Sequence, residues 1–306
     1  MKDAYDLVII GGGPAGLTAA IYAGRARMDA LLIEMISPGG QVLTTDWIEN
    51  YPGFPEGVSG GELVMKMNEQ MERFGIEVES AEVSQVDFSE ELHRITLEDR
   101  SIACRSMIIA TGASPNKLKV PGEDTFYGKG VSTCATCDAA FYRDKVVAAV
   151  GGGDTAVQEA LFLTKFVEKV YLIHRRDELR ATKILQERAL ANEKIELVWD
   201  SVVTEIGGSG MTVDQVTVKN VKTGATRSLA VDGCFVWVGT KPNVQFIGNG
   251  LKTDDWGFIQ TDQHMQTSVH GVYAVGDVRA TPLRQIVTAV GDAAIAVHAA
   301  EAYLQK

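Results

Sequence analysis

Apolar residues in this chain occur in short runs separated by longer amphipathic segments, a pattern that predicts parallel strands connected by helices. Residues 5–10 form an apolar run that ends in glycines, which is typical of a buried parallel strand. Residues 14–27 have helical spacing, and residues 30–34 form a second apolar run. The N-terminal segment therefore predicts a βαβ unit.

The same order of elements restarts in the middle of the chain. Residues 145–150 predict a strand, residues 154–165 a helix and residues 170–173 another strand. The glycines that follow the first strand of each unit, Gly11 and Gly151, are 140 positions apart. The other predicted elements are helices over 61–74 and 182–191, strands within 76–97, over 104–110, within 195–238 and over 272–275, and an alanine-rich helix ending near 304. We predict an α/β fold with two Rossmann-like, three-layer nucleotide-binding domains.

Two turn-rich segments, residues 112–116 and 239–243, flank the second βαβ unit, and each contains glycine and proline. They suggest that the second unit is inserted into the first domain. We therefore expect a discontinuous domain made of residues 1–114 and 243–306, and an inserted domain made of residues 115–242.

The composition fits a globular protein of about two domains, with 306 residues, 45% hydrophobic and 23% charged. With 29 Lys and Arg against 40 Asp and Glu, the net charge of −11 opposes binding to nucleic acid or to an anionic membrane surface. The start of the chain lacks the basic and apolar regions of a signal peptide. In the sequence no stretch approaches the roughly 20 apolar residues that span a bilayer, so we expect a cytoplasmic protein.

The first unit contains the G-x-G-x-x-G pattern as Gly11-Gly12-Gly13-Pro14-Ala15-Gly16. In this pattern Gly11 allows the tight turn, Gly13 lets the backbone approach a pyrophosphate, and Gly16 allows close packing of helix on strand. Glu34 ends the second strand, where a carboxylate accepts from a ribose hydroxyl. These positions predict a dinucleotide site.

The second unit contains the G-x-G-x-x-A variant as Gly151-Gly152-Gly153-Asp154-Thr155-Ala156. Its second strand ends at His174-Arg175-Arg176, with Arg180 one turn further, and no carboxylate stands at the strand end itself. Guanidinium groups bind a 2′-phosphate in bidentate fashion, so we predict NADPH rather than NADH. Two dinucleotide sites fit a flavin paired with a nicotinamide, because a flavin accepts a hydride and passes electrons to sulfur.

Four cysteines are present, at positions 104, 134, 137 and 234, and Cys134 and Cys137 form a Cys-x-x-Cys pair. Such a pair is half a zinc site or a redox pair. The chain has no second Cys-x-x-Cys, so we predict a redox pair and no metal site, with Cys104 and Cys234 as buried core thiols. Asp138 adjoins the pair and is a candidate proton donor or acceptor, or alternatively a helix cap.

Two further motifs are Ala110-Thr111-Gly112 and Val275-Gly276-Asp277. Taken together and in this order, the motifs of the chain resemble those of the low-molecular-weight, bacterial-type thioredoxin reductases, which are class-II pyridine nucleotide-disulfide oxidoreductases. The resemblance covers essentially the whole chain. It implies FAD in the discontinuous domain, NADPH in the inserted domain, a homodimer, and thioredoxin or a thioredoxin-like protein as partner. It also implies that Cys137 faces the flavin while Cys134 attacks the partner's disulfide.

The resemblance assigns further cofactor-binding residues. Those that it places along the flavin are Gly40, Gln41, Asn50, Thr111, Gly112, Gly276, Asp277, Arg284 and Gln285. One position departs from the family, because Ala139 follows Asp138 where glycine is usual. That departure raises the question of the backbone geometry beside the cysteines.

Three alternative functions remain at this point. A dithiol oxidase and a ferredoxin-linked reductase of the same fold would not need NADPH, which the arginine set argues against. A non-enzymatic flavin and NADPH sensor would not need the paired cysteines.

Overall fold

The computed structural model describes residues 2–45, 47–89 and 92–305. The chain divides into two compact units: one runs up to Ser114 and resumes at Lys241, and the other is Pro115–Thr240. The sequence had suggested that the chain returns to the first unit at residue 243, two positions later than in the structure.

The strands and helices follow the predicted alternation. The strands are β1 (Ala4–Ile10), β2 (Ala30–Glu34), β3 (Glu77–Ser80), β4 (Gln85–Asp87), β5 (His93–Thr96), β6 (Ser101–Ile109), β7 (Ala113–Pro115), β8 (Val131–Ser132), β9 (Val146–Gly151), β10 (Lys169–Ile173), β11 (Ile195–Val198), β12 (Ser201–Gly207), β13 (Gln215–Asn220), β14 (Thr226–Ala230), β15 (Gly233–Trp237), β16 (Thr240–Pro242) and β17 (Val272–Ala274). The α-helices are α1 (Pro14–Arg25), α2 (Gly60–Glu72), α3 (Ala135–Asp138), α4 (Asp154–Leu163), α5 (Lys183–Leu190) and α6 (Ile286–Leu304).

The first unit contains a sheet in the order β3-β2-β1-β6-β5-β4, with β17 also paired to β6. The strands β3, β2, β1, β6 and β17 are parallel to one another. Strand β5 pairs antiparallel with β6, and β4 pairs antiparallel with β5. Side chains of β1 alternate between two hydrophobic clusters: Leu7 and Ile9 pack with α1, α2 and α6, while Val8 and Ile10 pack with residues of β5 and β17. The strand is therefore buried on both faces, which explains its continuous apolar sequence.

The second unit repeats this design with a parallel sheet in the order β11-β10-β9-β15-β8. A separate antiparallel sheet in the order β12-β13-β14 follows along the chain. The connecting strands β7 and β16 pair with each other. Both βαβ units thus place a glycine-rich loop between the carboxyl end of a parallel strand and the start of a helix, at Gly11 and at Gly151.

Helix α6 corrects one expectation from the sequence. We expected no segment near the length and hydropathy of a membrane span, but α6 meets both requirements by length and composition alone. One face of this helix, including Ala293, Ala296 and Ala300, is buried against α1 in the core of the first unit.

Candidate functional site

The first glycine loop has the geometry of a pyrophosphate site. Gly11 has φ +103°, which favours glycine, and a Cβ atom at Gly16 would overlap the carbonyl oxygen of Gly11. By contrast, a Cβ at Gly13 would meet no atom within 4 Å. Helix α1 starts at Pro14 with no side-chain cap. The first amides of α1 therefore have no side-chain cap and the space beside Gly13 is open, which is the arrangement of a phosphate-binding helix N-terminus.

Glu34 at the end of β2 is fixed against this loop. One carboxylate oxygen accepts from the backbone N–H of Gly12 at 2.6 Å, and the other accepts from Ile36 N–H at 3.1 Å. A carboxylate offers about four lone-pair sites, so Glu34 retains capacity for a ribose hydroxyl.

Three of the segments expected to line the flavin converge in the first unit. An ideal Cβ on Gly40 would lie 3.1 Å from Gly13 Cα, and Gly40 has φ +59°, so this position requires glycine. The Asn50 side-chain amide donates to Gln285 Oε1 at 2.8 Å, at the start of α6. The Gln41 side chain donates to the carbonyl oxygen of Ala113.

The Gly276–Asp277 turn packs beside the first glycine loop. An ideal Cβ on Gly276, whose φ is +70°, would lie 3.2 Å from the Ala15 Cβ. Asp277 is half-buried, and burial raises the pKa of its carboxyl while Arg284 opposes that shift. Arg284 also donates to the Asp277 carbonyl oxygen at 3.4 Å, and its guanidinium group lies 3.9 Å from the Phe258 ring centroid. The predicted residues Gly276, Asp277 and Arg284 therefore form one cluster.

Two residues around these segments were not predicted from the sequence. Asp292 on α6 accepts from Gly276 N–H at 3.1 Å. Asn243 joins Thr111 through two hydrogen bonds: the Thr111 hydroxyl donates to the Asn243 carbonyl at 2.7 Å, and the Asn243 amide donates to the Thr111 carbonyl at 2.9 Å. A carboxylate in the middle of an apolar helix was the available signal for Asp292, and the Lys-Pro-Asn turn was the signal for Asn243.

The second glycine loop repeats this geometry. Gly151 has φ +154°, and a Cβ there would contact Ala156 and the Trp237 carbonyl. A Cβ at Gly153 would again meet nothing within 4 Å, and α4 starts at Asp154 with no side-chain cap. Thr155 lies exposed in the first turn of this helix. The loop therefore has the same opening for a pyrophosphate.

His174 and the three arginines surround this second loop. The His174 ring occupies the space that a Cβ of Gly152 would need, and its buried Nε2 has no hydrogen-bond partner among the described residues. Arg175, Arg176 and Arg180 are exposed, and within the described ranges none of the three forms an ion pair. The guanidinium groups are therefore available to an anionic ligand.

Asp154 has a structural partner that the sequence did not reveal. Its carboxylate accepts from Thr182 N–H at 2.6 Å, while the Gly152 carbonyl accepts from the N–H groups of Arg180 and Ala181 at 2.7 and 3.1 Å. These bonds tie the arginine-bearing segment to the glycine loop. Asp154 thus helps to set where Arg180 stands.

Cys134 and Cys137 form a disulfide, as predicted for a redox pair. Cys134 is half-buried and is the N-cap of α3, where its sulfur accepts from Cys137 N–H at 3.2 Å; Cys137 is exposed. Asp138 is half-buried at the end of α3 and caps no helix with its side chain. Ala139 has φ −53° in the right-handed helical region, so glycine is not required at this position.

The remaining two cysteines are not suited to redox chemistry. Cys104 in β6 and Cys234 in β15 are fully buried free thiols, as the sequence predicted. Burial raises the pKa of each thiol to about 12. Neither sulfur is suited to thiolate chemistry near neutral pH.

Comparison with known proteins decides the family. The family model described as pyridine nucleotide-disulphide oxidoreductase matches residues 5–293. The chain belongs to this family. It is similar to thioredoxin reductases of Peptoclostridium litorale, 45% identical over 100% of this chain and 99% of the relative, and of Listeria monocytogenes, 44% identical over 99% and 94%. The crystal structure of Lactococcus lactis thioredoxin reductase in its FR conformation is 47% identical and covers 98% of this chain and 99% of its own, with a TM-score of 0.96.

Proposed function

We propose that this protein is an NADPH-dependent thioredoxin-disulfide reductase. Electrons pass from NADPH to FAD, then to the Cys134–Cys137 disulfide, and then to the disulfide of thioredoxin or a thioredoxin-like protein. The observation that carries the proposal is that the disulfide and the arginine-bearing glycine loop belong to the same unit, Pro115–Thr240. Full-length similarity to thioredoxin reductases supports it.

The two glycine loops are the proposed cofactor sites. Gly13, the first amides of α1, and Glu34 would hold FAD in the discontinuous unit, with Asp277 and the Asn50–Gln285 pair along it. When bound, FAD accepts a hydride from NADPH and delivers two electrons to a disulfide.

In the second unit, Gly153 and the first amides of α4 would hold the pyrophosphate of NADPH. Arg175, Arg176 and Arg180 would bind its 2′-phosphate, because exposed guanidinium groups match a phosphate dianion in charge and geometry. His174 would support the loop from beneath Gly152.

The paired cysteines carry out the exchange with the partner. Two electrons and two protons convert the disulfide into two thiols. The Cys134 sulfur is suited to be the thiolate, because it accepts from the Cys137 amide at a helix N-terminus. It attacks one sulfur of the partner's disulfide to form a mixed disulfide, and the other partner sulfur leaves.

Cys137 then attacks Cys134, which restores the internal disulfide and releases the partner as a dithiol. Asp138, next to Cys137, is the proposed donor and acceptor of protons for these steps.

We also propose a cytoplasmic homodimer. The family resemblance implies a dimer, and α6 supports association because Val287 and Ile295 expose apolar side chains on this helix. Sedimentation of the flavin-loaded protein at micromolar concentration tests the dimer; a mass near 33.0 kDa throughout would contradict it.

Anaerobic mixing with NADPH, followed by addition of thioredoxins, tests the reductase function. We expect NADPH to bleach the flavin absorbance and the reduced enzyme to convert oxidised thioredoxin to its dithiol. Bleaching by ferredoxin alone, or flavin reduction by dithiols with transfer to oxygen, would instead identify one of the same-fold alternatives. A protein that binds both cofactors but reduces no disulfide would be a sensor.

A further inference from the structure

A carboxylate on helix α4 contacts the loop that carries the cysteine pair. Glu159 lies on the helix whose N-terminus forms the second glycine loop, and its Oε2 accepts from Ala135 N–H at 3.2 Å. Ala135 is the residue directly after Cys134 and is fully buried in the core of this unit, together with Val157 and Ala160 of α4. The same helix thus bears the proposed NADPH loop at one end and contacts the redox loop further along.

Glu159 accepts from the backbone amide of Ala135, the residue directly after Cys134. The Cys137 amide already donates to the Cys134 sulfur at 3.2 Å. Free amides at such a position stabilise a thiolate and lower the pKa of the thiol. The Glu159 carboxylate instead brings a negative charge to the residue next to Cys134, and a nearby negative charge disfavours a thiolate.

We propose that Glu159 is a positioning residue that fixes the Cys134–Cys137 loop to α4 and makes the reduced pair a stronger reductant. The inference rests on the proposed redox role of the pair. Helix α4, which begins at the proposed NADPH loop, would thus also affect the reducing strength of the cysteine pair in the same unit.

The sign of the effect follows from charge. The thiolate exists only in the reduced pair, so a nearby carboxylate destabilises the reduced state and leaves the disulfide largely unaffected. A destabilised dithiolate gives up its electrons more readily.

Other titratable groups lie on the segments around the pair. They include Asp138 on α3, which adds to the effect of burial in raising the pKa of Tyr142, and Asp154 at the start of α4, whose carboxylate accepts from Thr182 N–H. Helix α5, which packs against α4, adds Lys183, Glu187 and Arg188. The variants below leave all of these unchanged.

Equilibration of the holoenzyme with dithiothreitol and its oxidised form tests the proposal. In this exchange one dithiothreitol loses two electrons and two protons to form its cyclic disulfide, and the Cys134–Cys137 disulfide gains them. Anaerobic samples at pH 8.5 are quenched by alkylation, and mass spectrometry gives the fraction of reduced pair without reference to flavin absorbance.

Glu159→Gln keeps an oxygen acceptor for the Ala135 amide and removes the charge. We expect the equilibrium constant to shift threefold to tenfold toward the reduced pair, which is about 15–30 mV for a two-electron couple. The pH profile of Cys134 alkylation should move to lower pH in the same variant. Glu205→Gln, an exposed carboxylate in β12 of the same unit, is the matched control and should change neither quantity.

Glu159→Ala removes the acceptor as well, and hydrogen exchange then separates position from charge. We expect the Ala135 amide to exchange faster in Glu159→Ala, with protection retained in Glu159→Gln. Equal equilibrium constants for Glu159→Gln and Glu205→Gln would overturn the proposal.

These measurements use neither NADPH nor thioredoxin. A shifted constant in a protein that reduces no thioredoxin would uphold the role of Glu159 and refute the proposed function instead.

Discussion

At the scale of single residues, the four cysteines occupy two kinds of environment. Cys104 and Cys234 sit in central strands with no exposed surface, whereas Cys134 and Cys137 lie at the start of a short helix at the protein surface. Thiolate chemistry depends on the pKa of the thiol and on its exposure. Cysteine therefore behaves as a core side chain in one environment and as a redox group in the other.

This difference predicts how many thiols react. With a pKa of about 12, Cys104 and Cys234 are thiolate in only about 10⁻⁴ of molecules at pH 8. After anaerobic reduction and removal of the reductant, iodoacetamide at pH 8 should label two cysteines in the folded protein and four in guanidinium chloride. Peptide mapping identifies them; rapid native labelling of Cys104 or Cys234 would show that these thiols are accessible after all.

Replacing either redox cysteine should separate the two half-reactions. We expect Cys134→Ser and Cys137→Ser each to abolish thioredoxin reduction, while NADPH still bleaches the flavin at a rate near that of the unaltered enzyme. The reason is that hydride transfer to the flavin does not involve sulfur. Cys104→Ala serves as control, since it should retain both activities with some loss of stability. Substantial thioredoxin reduction by Cys134→Ser would exclude the proposed exchange.

At the scale of elements, each cofactor site is a strand, a glycine loop and a helix, supplemented by a segment that comes from elsewhere in the chain. In the second unit that segment carries the arginines, and its backbone is bonded to the Gly152 carbonyl and to Asp154. Cofactor preference therefore depends both on which charges are present and on how firmly this segment is held.

The charges themselves predict NADPH preference. One hydrogen bond to a charged group contributes roughly 1.5–3 kcal/mol, so losing two should weaken NADPH binding about 10²- to 10⁴-fold. We expect Arg175→Ala/Arg176→Ala to show this loss in KM and Kd for NADPH, with little change for NADH. Arg227→Ala, an exposed arginine on β14, controls for net charge. Equal weakening with both cofactors would mean that the two arginines are structural.

The hydrogen bond of Asp154 predicts a smaller effect of the same kind. Asp154→Ala frees the Thr182 amide and loosens the segment that carries Arg180, which should weaken NADPH binding about tenfold, given about 1.4 kcal/mol per decade. Asp154→Asn keeps an acceptor oxygen and should recover most of the affinity. Isothermal titration of the three proteins measures the difference; an Asn variant as weak as the Ala variant would mean that the charge matters and the bond does not.

Much of this architecture was predictable because glycine and buried strands leave strong local signals. Both loops and the strands before them were predicted from the glycine motifs and the apolar runs, and the redox pair from its Cys-x-x-Cys motif and the lack of a second such motif. Helix ends were predicted less well: α1 stops at Arg25 rather than at residue 27, because Arg27 adopts φ 57° in the left-handed region. Such a break depends on the following turn and has no clear pattern in the sequence.

The residues that act through others were not predicted. Asn243 bonds to Thr111 from 132 positions away, Asp292 reaches Gly276 from the middle of an apolar helix, and Glu159 reaches Ala135 across 24 positions. None of these partners is a sequence neighbour. Only the tertiary fold brings the groups together, so spacing along the chain does not identify the partner that each residue contacts.

At the scale of the whole molecule, the two glycine loops and the disulfide are divided between the two units. The second glycine loop and the disulfide belong to Pro115–Thr240, while the first glycine loop belongs to the discontinuous unit. Under the proposed function, NADPH and the disulfide therefore belong to one unit and the flavin to the other. The nicotinamide and the disulfide must reach the flavin ring in turn, and the reduced cysteines must then reach a bulky protein.

We therefore predict that the units rotate relative to each other during turnover. The chain crosses between them only twice, and the crossings lie beside Gly112 and Gly239, whose φ angles of +67° and +99° are those that glycine adopts most readily. Hinge motions of this type take microseconds to milliseconds, fast enough for an enzyme cycle. Covalent links between the units, made with a short bifunctional reagent and located by mass spectrometry, should block thioredoxin reduction but allow one partial reaction. Links confined to a single unit are the control. A molecule locked across the two units that still oxidises NADPH and reduces thioredoxin at the free rate would require nicotinamide and disulfide to use opposite faces of a static flavin, and no rotation would then be needed.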